Sequence, residues 1–162
     1  MERLTADEIT EVAGALAGLS WSWTVDDLDR LVDGFGWPIA AGPSVGGAVL
    51  QTGLAPHHGF ADVRFDGGAV GAIVVRVTDG SPEATDPRRD AFAAAVTAVT
   101  GVAGPPTERR PGPAPEVRWR VPSGVLRVTD DGVFVELALL SEAHAALIDE
   151  ADSDQDDGED DW

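Results

Sequence analysis

Residues 115–140 read PEVRWRVPSGVLRVTDDGVFVELALL, and their side chains alternate in the manner of a β-meander. Val117, Trp119 and Val121 alternate with Arg118 and Arg120, so apolar side chains face one way and guanidinium groups the other. Pro122-Ser123-Gly124 supplies a first turn and Asp130-Asp131-Gly132 a second, where glycine tolerates the positive φ of a tight hairpin. Val133, Val135, Leu137 and Leu139 then share one face of a third strand. A three-stranded meander with one apolar face needs helices to cover it.

The upstream chain supplies them. Thr5-Ala6-Asp7-Glu8 is a capping box, and Ile9, Val12, Ala13, Leu16 and Leu19 recur behind it at helical spacing. After Trp21-Ser22-Trp23, Thr24 is placed to cap a second helix whose apolar face is Val25, Leu28, Leu31, Val32 and Phe35. Gly34 or Gly36 ends it. Residues 48–52 and 60–65 read as strands, with Asp66-Gly67-Gly68 as a hairpin turn. Residues 69–78 carry the apolar centre Ala72-Ile73-Val74-Val75, which predicts a central strand buried on both faces. Asp86-Pro87 opens a third helix with Ala91, Phe92, Ala95, Val96 and Val99 inward. Residues 101–115, rich in Pro and Gly, form a loop back to the meander, and Ser141 caps a last short helix through Ile148.

The expected fold is therefore α+β: an antiparallel sheet of about six strands covered by helices. Residues 1–148 form one domain, residues 1–20 being an extra N-terminal helix, and residues 149–162 an acidic, disordered tail.

Charge narrows the partners. The chain carries 29 acids against 11 bases, a net −18, and every base is arginine. Nine of the acids lie in the last fourteen residues, and the remainder still outnumber the arginines. Such a chain repels nucleic-acid backbones and favours a basic protein partner. No apolar run approaches a membrane span, and MERLTADEIT lacks the apolar core of a signal peptide. With no cysteine there is no disulfide or thiolate chemistry. The expectation is a cytoplasmic protein.

Two resemblances rest on particular residues. The order helix, strands, helix, strands, helix between Thr24 and Ile148, with the Phe35-Gly36-Trp37 step closing the leading helix, resembles the type III secretion chaperones and YbjN-like proteins. That resemblance implies their fold and the capture of a client segment. The N-terminal helix departs from the chaperone pattern, at a place where it would cover their dimerising surface. Trp21-Ser22-Trp23 and Arg118-Trp119-Arg120 also resemble motifs in a group of small, acidic, uncharacterised actinobacterial proteins.

Possible catalytic constellations are thin. Gly42-Pro43-Ser44-Val45-Gly46 matches the G-x-S-x-G elbow, but Gly46-Gly47-Ala48-Val49-Leu50 reads as loop and strand where the elbow needs a helix. His57 and His58 are neighbours in a loop and point apart, with His144 the remaining histidine, so no metal site is expected. Asp152, Asp154 and Asp156 imitate a calcium loop, yet its sixth position is Asp157 where glycine is required. Arg118, Arg120 and Arg127, near Arg109 and Arg110, form either a solvated sheet face or a dock for the chain's own acidic tail.

The expectation is a non-catalytic protein-binding domain without cofactor, monomeric or homodimeric: an immunity protein that neutralises a cognate basic toxin. The alternative is a secretion-type chaperone, and a hydrolase acting through Ser44 or His57 is a third reading. The predicted contact residues are Asp26, Asp29 and Asp33 on one helical stripe, with Asp154, Asp156, Asp157, Glu159, Asp160, Asp161 and Trp162 of the tail.

Overall fold

The structure, a computed structural model, describes residues 1–54 and 59–159, with side chains through Asp152. Helix α1 (Ala6–Ala17) begins on the capping box: the Thr5 hydroxyl accepts from the Glu8 amide, and the Glu8 carboxylate accepts from the Thr5 amide. Ile9, Val12, Ala13 and Leu16 form its buried stripe. A 3-10 turn (Val25–Asp27) leads into α2 (Leu28–Phe35), which ends at Gly36 with φ 69°. A side chain is strained in that left-handed region, so glycine holds the cap, and its amide closes on the Val32 carbonyl. Phe35 and Trp37 stack across this step with ring centroids 4.6 Å apart.

Next come β1 (Ile39–Ala41), β2 (Gly47–Gln51), β3 (Phe60–Asp66), β4 (Ala69–Arg76) and α3 (Thr85–Ala103). The chain closes with β5 (Glu108–Arg110), β6 (Glu116–Val121), β7 (Gly124–Asp130), β8 (Val135–Leu140) and α4 (Glu142–Glu159). All eight described strands join one sheet in the order β1-β2-β3-β4-β8-β7-β6-β5, every neighbouring pair antiparallel. The sheet is two four-stranded meanders joined where β4 meets β8, with Ile73 opposite Leu139. β4 is buried along its whole centre, as its unbroken apolar run predicts.

Several expectations are corrected. Among the described residues the strands number eight rather than about six: β1 and β5 are three residues each, too short to show alternation. Thr24 makes no side-chain cap; its backbone bridges to Ala69, and Asp27 instead accepts from the Ser22 amide. α3 starts at Thr85 without a side-chain cap, so Asp86 lies inside the helix, and the helix runs to Ala103. Val133 is exposed and precedes β8. Residues 149–159, expected within a disordered tail, continue α4 as helical backbone, and Asp149 and Asp152 find arginine partners on the sheet.

The core lies on one side of the sheet. Buried residues of α1, α2 and α3, among them Leu16, Leu31 and Ala95, meet Leu50, Ile73, Trp119, Leu126 and Leu139. Trp119 is wholly buried, paired with Leu126 in the next strand. Among the described residues, α4 alone lies on the other side. Ala145 and Ile148 cover Ala72, Val74, Val125, Ala138 and Leu140.

Candidate functional site

Strand alternation sorts the charges. Residues opposite in parity to Val63, Trp119 and Val128 point away from the helical core, which places Arg64, Arg118, Arg120 and Arg127 on the α4 side. Register adds Arg110, opposite Glu116. Most of these arginines find acids at once. Arg118 Nε donates to Glu116 Oε1 at 2.9 Å, and its Nη1 lies 3.0 Å from Asp149 Oδ1. Arg110 Nε donates to Glu108 at 2.9 Å, and its two Nη atoms reach Asp149 at 3.0 Å and Asp152 at 3.3 Å. Arg127 pairs with Glu116 through Nε, and Arg120 Nη1 donates to Glu142 at 2.9 Å.

Titration follows this crowding. The hydrogen bond to Glu108, joined by that to Asp149, raises Arg110 further above the range in which it could lose its proton, against desolvation. Burial opposes ionisation of Asp149, yet hydrogen bonds from Arg110 and Arg118 hold its carboxyl below the usual 3.8. Burial lowers Arg127, partly countered by Glu116.

The helical side is different. Asp26, Asp29 and Asp33 are all exposed, and Asp7, Glu11, Asp86 and Asp90 extend the same sign across α1 and α3. Arg30 and Arg89 are the exposed bases among α1, α2 and α3. Arg30 Nε sits 3.8 Å from Asp27 Oδ1. Arg88 is buried, so it lends the surface no charge.

The remaining predicted contact residues are not placed by this geometry. Asp154, Asp156, Asp157 and Glu159 belong to the stretch of α4 whose side chains lie outside the described residues, and Asp160, Asp161 and Trp162 lie outside them altogether. His57 and His58 do as well. Ser44 forms a turn: its amide and hydroxyl both donate to the Gly47 carbonyl, at 2.9 and 3.2 Å, and strand β2 follows. Among the described residues no group of three or more His, Asp or Glu is arranged to hold a metal ion. No described helix is long and apolar enough to cross a membrane.

A cleft that the sequence does not signal, of about 750 Å³, runs between the end of α1, the β6–β7 turn and the start of α4. Leu19, Trp21, Trp23, Pro122, Ser123 and Glu142 are among its lining residues. Trp23 adopts φ 58°, an unusual backbone for a bulky residue, and its indole donates to the Ser123 carbonyl at 3.0 Å. Trp21 stands 5.3 Å from it, ring to ring. Trp-Ser-Trp therefore ties the connection between α1 and α2 to the far meander. No residue type signals a positive φ at tryptophan.

No curated protein matches the chain. Among solved structures, a DUF4309 family protein (YjgB) from Bacillus subtilis is similar at 12% identity, with a TM-score of 0.46, over 85% of this chain and 98% of that one. A family model described as "Family of unknown function (DUF6301)" matches residues 7–141, and the chain belongs to that family.

Proposed function

We propose that this is a non-catalytic domain that binds a basic protein, and specifically an immunity protein that neutralises a cognate toxin in the cytoplasm. The observation that carries the reading is the separation of charge between the two sides. On the sheet, Arg110, Arg118, Arg120 and Arg127 are matched by Glu108, Glu116, Glu142, Asp149 and Asp152. The acids of the helical side, Asp26, Asp29 and Asp33 among them, face solvent with two exposed bases beside them. An unmatched acidic surface on rigid helices steers a basic partner and fixes its orientation. The finer fold assignment, to the type III secretion chaperone and YbjN-like group, belongs to the same proposal and rests on the order of helices and strands.

A secretion-type chaperone is the second reading. It draws on Ile39, Val45 and Phe60, exposed apolar residues around the β1 end of the sheet, where an extended client segment would find both an edge and apolar contacts.

The test is capture of partners from the native host by the wild type and by an Asp29→Lys/Asp33→Lys variant, followed by co-expression. One stoichiometric basic partner, whose toxicity the wild type blocks and the variant does not, is expected. Capture of several unfolded clients by both proteins equally would replace this reading with the chaperone.

A further inference from the structure

Beneath the middle of α4, three guanidinium groups crowd one buried carboxylate. Glu116 receives Arg118 Nε at 2.9 Å, Arg110 Nη1 at 3.6 Å and Arg127 Nε. Arg118 is held rigidly, its side chain 5% exposed, and its Nη2 is buried without a hydrogen-bond partner among the described residues. A guanidinium with an unused buried donor is an unfilled site for an acceptor oxygen. A cavity of about 160 Å³ beside it, lined by Thr107, Arg118, Arg120, Glu142 and Asp149 among others, leaves room for one.

The sheet supplies two carboxylates to this cluster, Glu108 and Glu116, against three guanidinium groups. The sheet alone is therefore one charge positive there. Asp149 and Asp152, arriving from α4, reverse the sign. They arrive on a weak arm. The apolar anchoring of α4 stops at Ile148, and beyond it the described side-chain contacts are ion pairs of carboxylates 44% and 55% exposed. Half-exposed pairs of this kind are weak and screened by salt.

We propose that the cluster of Arg110, Arg118 and Arg127 is a binding surface for an acidic peptide segment, and that Asp149 and Asp152 occupy it in cis as a displaceable strap. The cis contacts show the chemistry that the surface accepts: carboxylates 3.0–3.3 Å from guanidinium nitrogens, presented along one helical face. The cluster lies across the sheet from the acidic helices, so its ligand is opposite in charge to the basic partner proposed above, and either proposal can fail without the other. Salt acts on it in two directions. At very low salt the net charge of −18 repels any acidic peptide, whereas at high salt the pairs themselves are screened.

The experiment uses the full chain, an Asp149→Asn/Asp152→Asn variant, and a fluorescent peptide with the sequence of residues 149–162. It is run at about 0.1 M salt, where a Debye length of about 10 Å silences remote acids and spares direct contacts. The variant is expected to bind the peptide about tenfold more tightly than the wild type, because its cis competitor is gone. Adding Arg110→Gln to the variant is expected to abolish that gain. Equal binding by wild type and variant, absence of binding by both, or binding that survives Arg110→Gln would each overturn the proposal. Circular dichroism checks that the variants fold. Amide exchange on the wild type gives a second readout: about 1 M salt should speed exchange after Ile148 and spare residues 142–148. Exchange that ignores salt rules out a displaceable strap.

Discussion

Arg88 on α3 donates through Nε to Asp130 at the end of β7 across 3.0 Å, with both side chains 7% exposed. The same guanidinium donates through Nη1 to the carbonyls of Ser81 and Pro82, and Asp130 also accepts from the Gly132 amide. One buried pair thus joins the entry of α3 to the β7–β8 turn. Replacing Arg88 by Met strands a carboxylate in the interior, and removing one partner of a buried pair costs about 3–5 kcal/mol. Urea unfolding of Arg88→Met is expected to show a loss of that size. Arg88→Met/Asp130→Leu should recover part of it, since no lone charge then remains. A loss under about 1 kcal/mol in the single variant would mean that water reaches the pair.

Gly71 of β4 lies under the His144 ring of α4: a Cβ at Gly71 would meet His144 Nδ1 at 2.7 Å. The bare strand lets the imidazole lie against the sheet, while Ser141 fixes the helix start by accepting from the His144 amide. Gly71→Ala forces the ring away, an overpacking that costs about 1–3 kcal/mol. His144→Ala added to Gly71→Ala should suppress most of that cost. Thermal unfolding of the four proteins in the cycle measures it, and additive losses would show that the two residues do not meet.

The places where the sequence was legible share a physical basis. The Thr5 capping box, the buried stripe of α1 and the burial of β4 are set by residues within a turn or a strand of one another, so local pattern suffices. The arginine face that meets Asp149 and Asp152 could be framed too, because Arg118 and Arg120 alternate with Trp119. What stayed hidden depends on pairing at long range. β5 exists because Arg110 lies opposite Glu116, and Arg88 is buried because Asp130 comes to it. The apolar pattern of α4 fades after Ile148, but backbone hydrogen bonding needs no apolar side chains, and arginines on another element favour the acidic turns.

Helix-interior glycines offer stabilising changes. Gly14 in α1, Gly34 in α2 and Gly101 in α3 have nothing within 4 Å of an added Cβ. Alanine at each should raise stability by up to about 1 kcal/mol, through a less flexible unfolded chain and a better helix former. Gly36 has equally open space but φ 69°, so Gly36→Ala is expected to destabilise by about 1 kcal/mol. Chemical denaturation of the four single variants separates the two causes. If Gly36→Ala stabilises as the others do, α2 does not end in the left-handed cap.

Stability should fall when the solution is mildly acidified, and His144 is the cause. Burial, then the charges of Arg64 and Arg127, push its imidazole below the usual 6.5, against a pull from Asp66. The unfolded chain therefore binds the proton more readily than the folded one. That contribution is complete above pH 6.5 and is lost as the pH falls through the interval below it. Glu136 has the opposite sign. Burial raises its carboxyl above 4.5, so what it contributes is present below 4.5 and is lost as the pH rises above that, through the raised value. Asp149, held below 3.8, contributes above that value and loses its contribution only at more acid pH. The unfolding free energy of the wild type should decline from pH 7 toward pH 5.5, and His144→Gln, which cannot take the proton, should flatten that interval while leaving the more acid limb in place. A decline that persists unchanged in His144→Gln would assign it to another group.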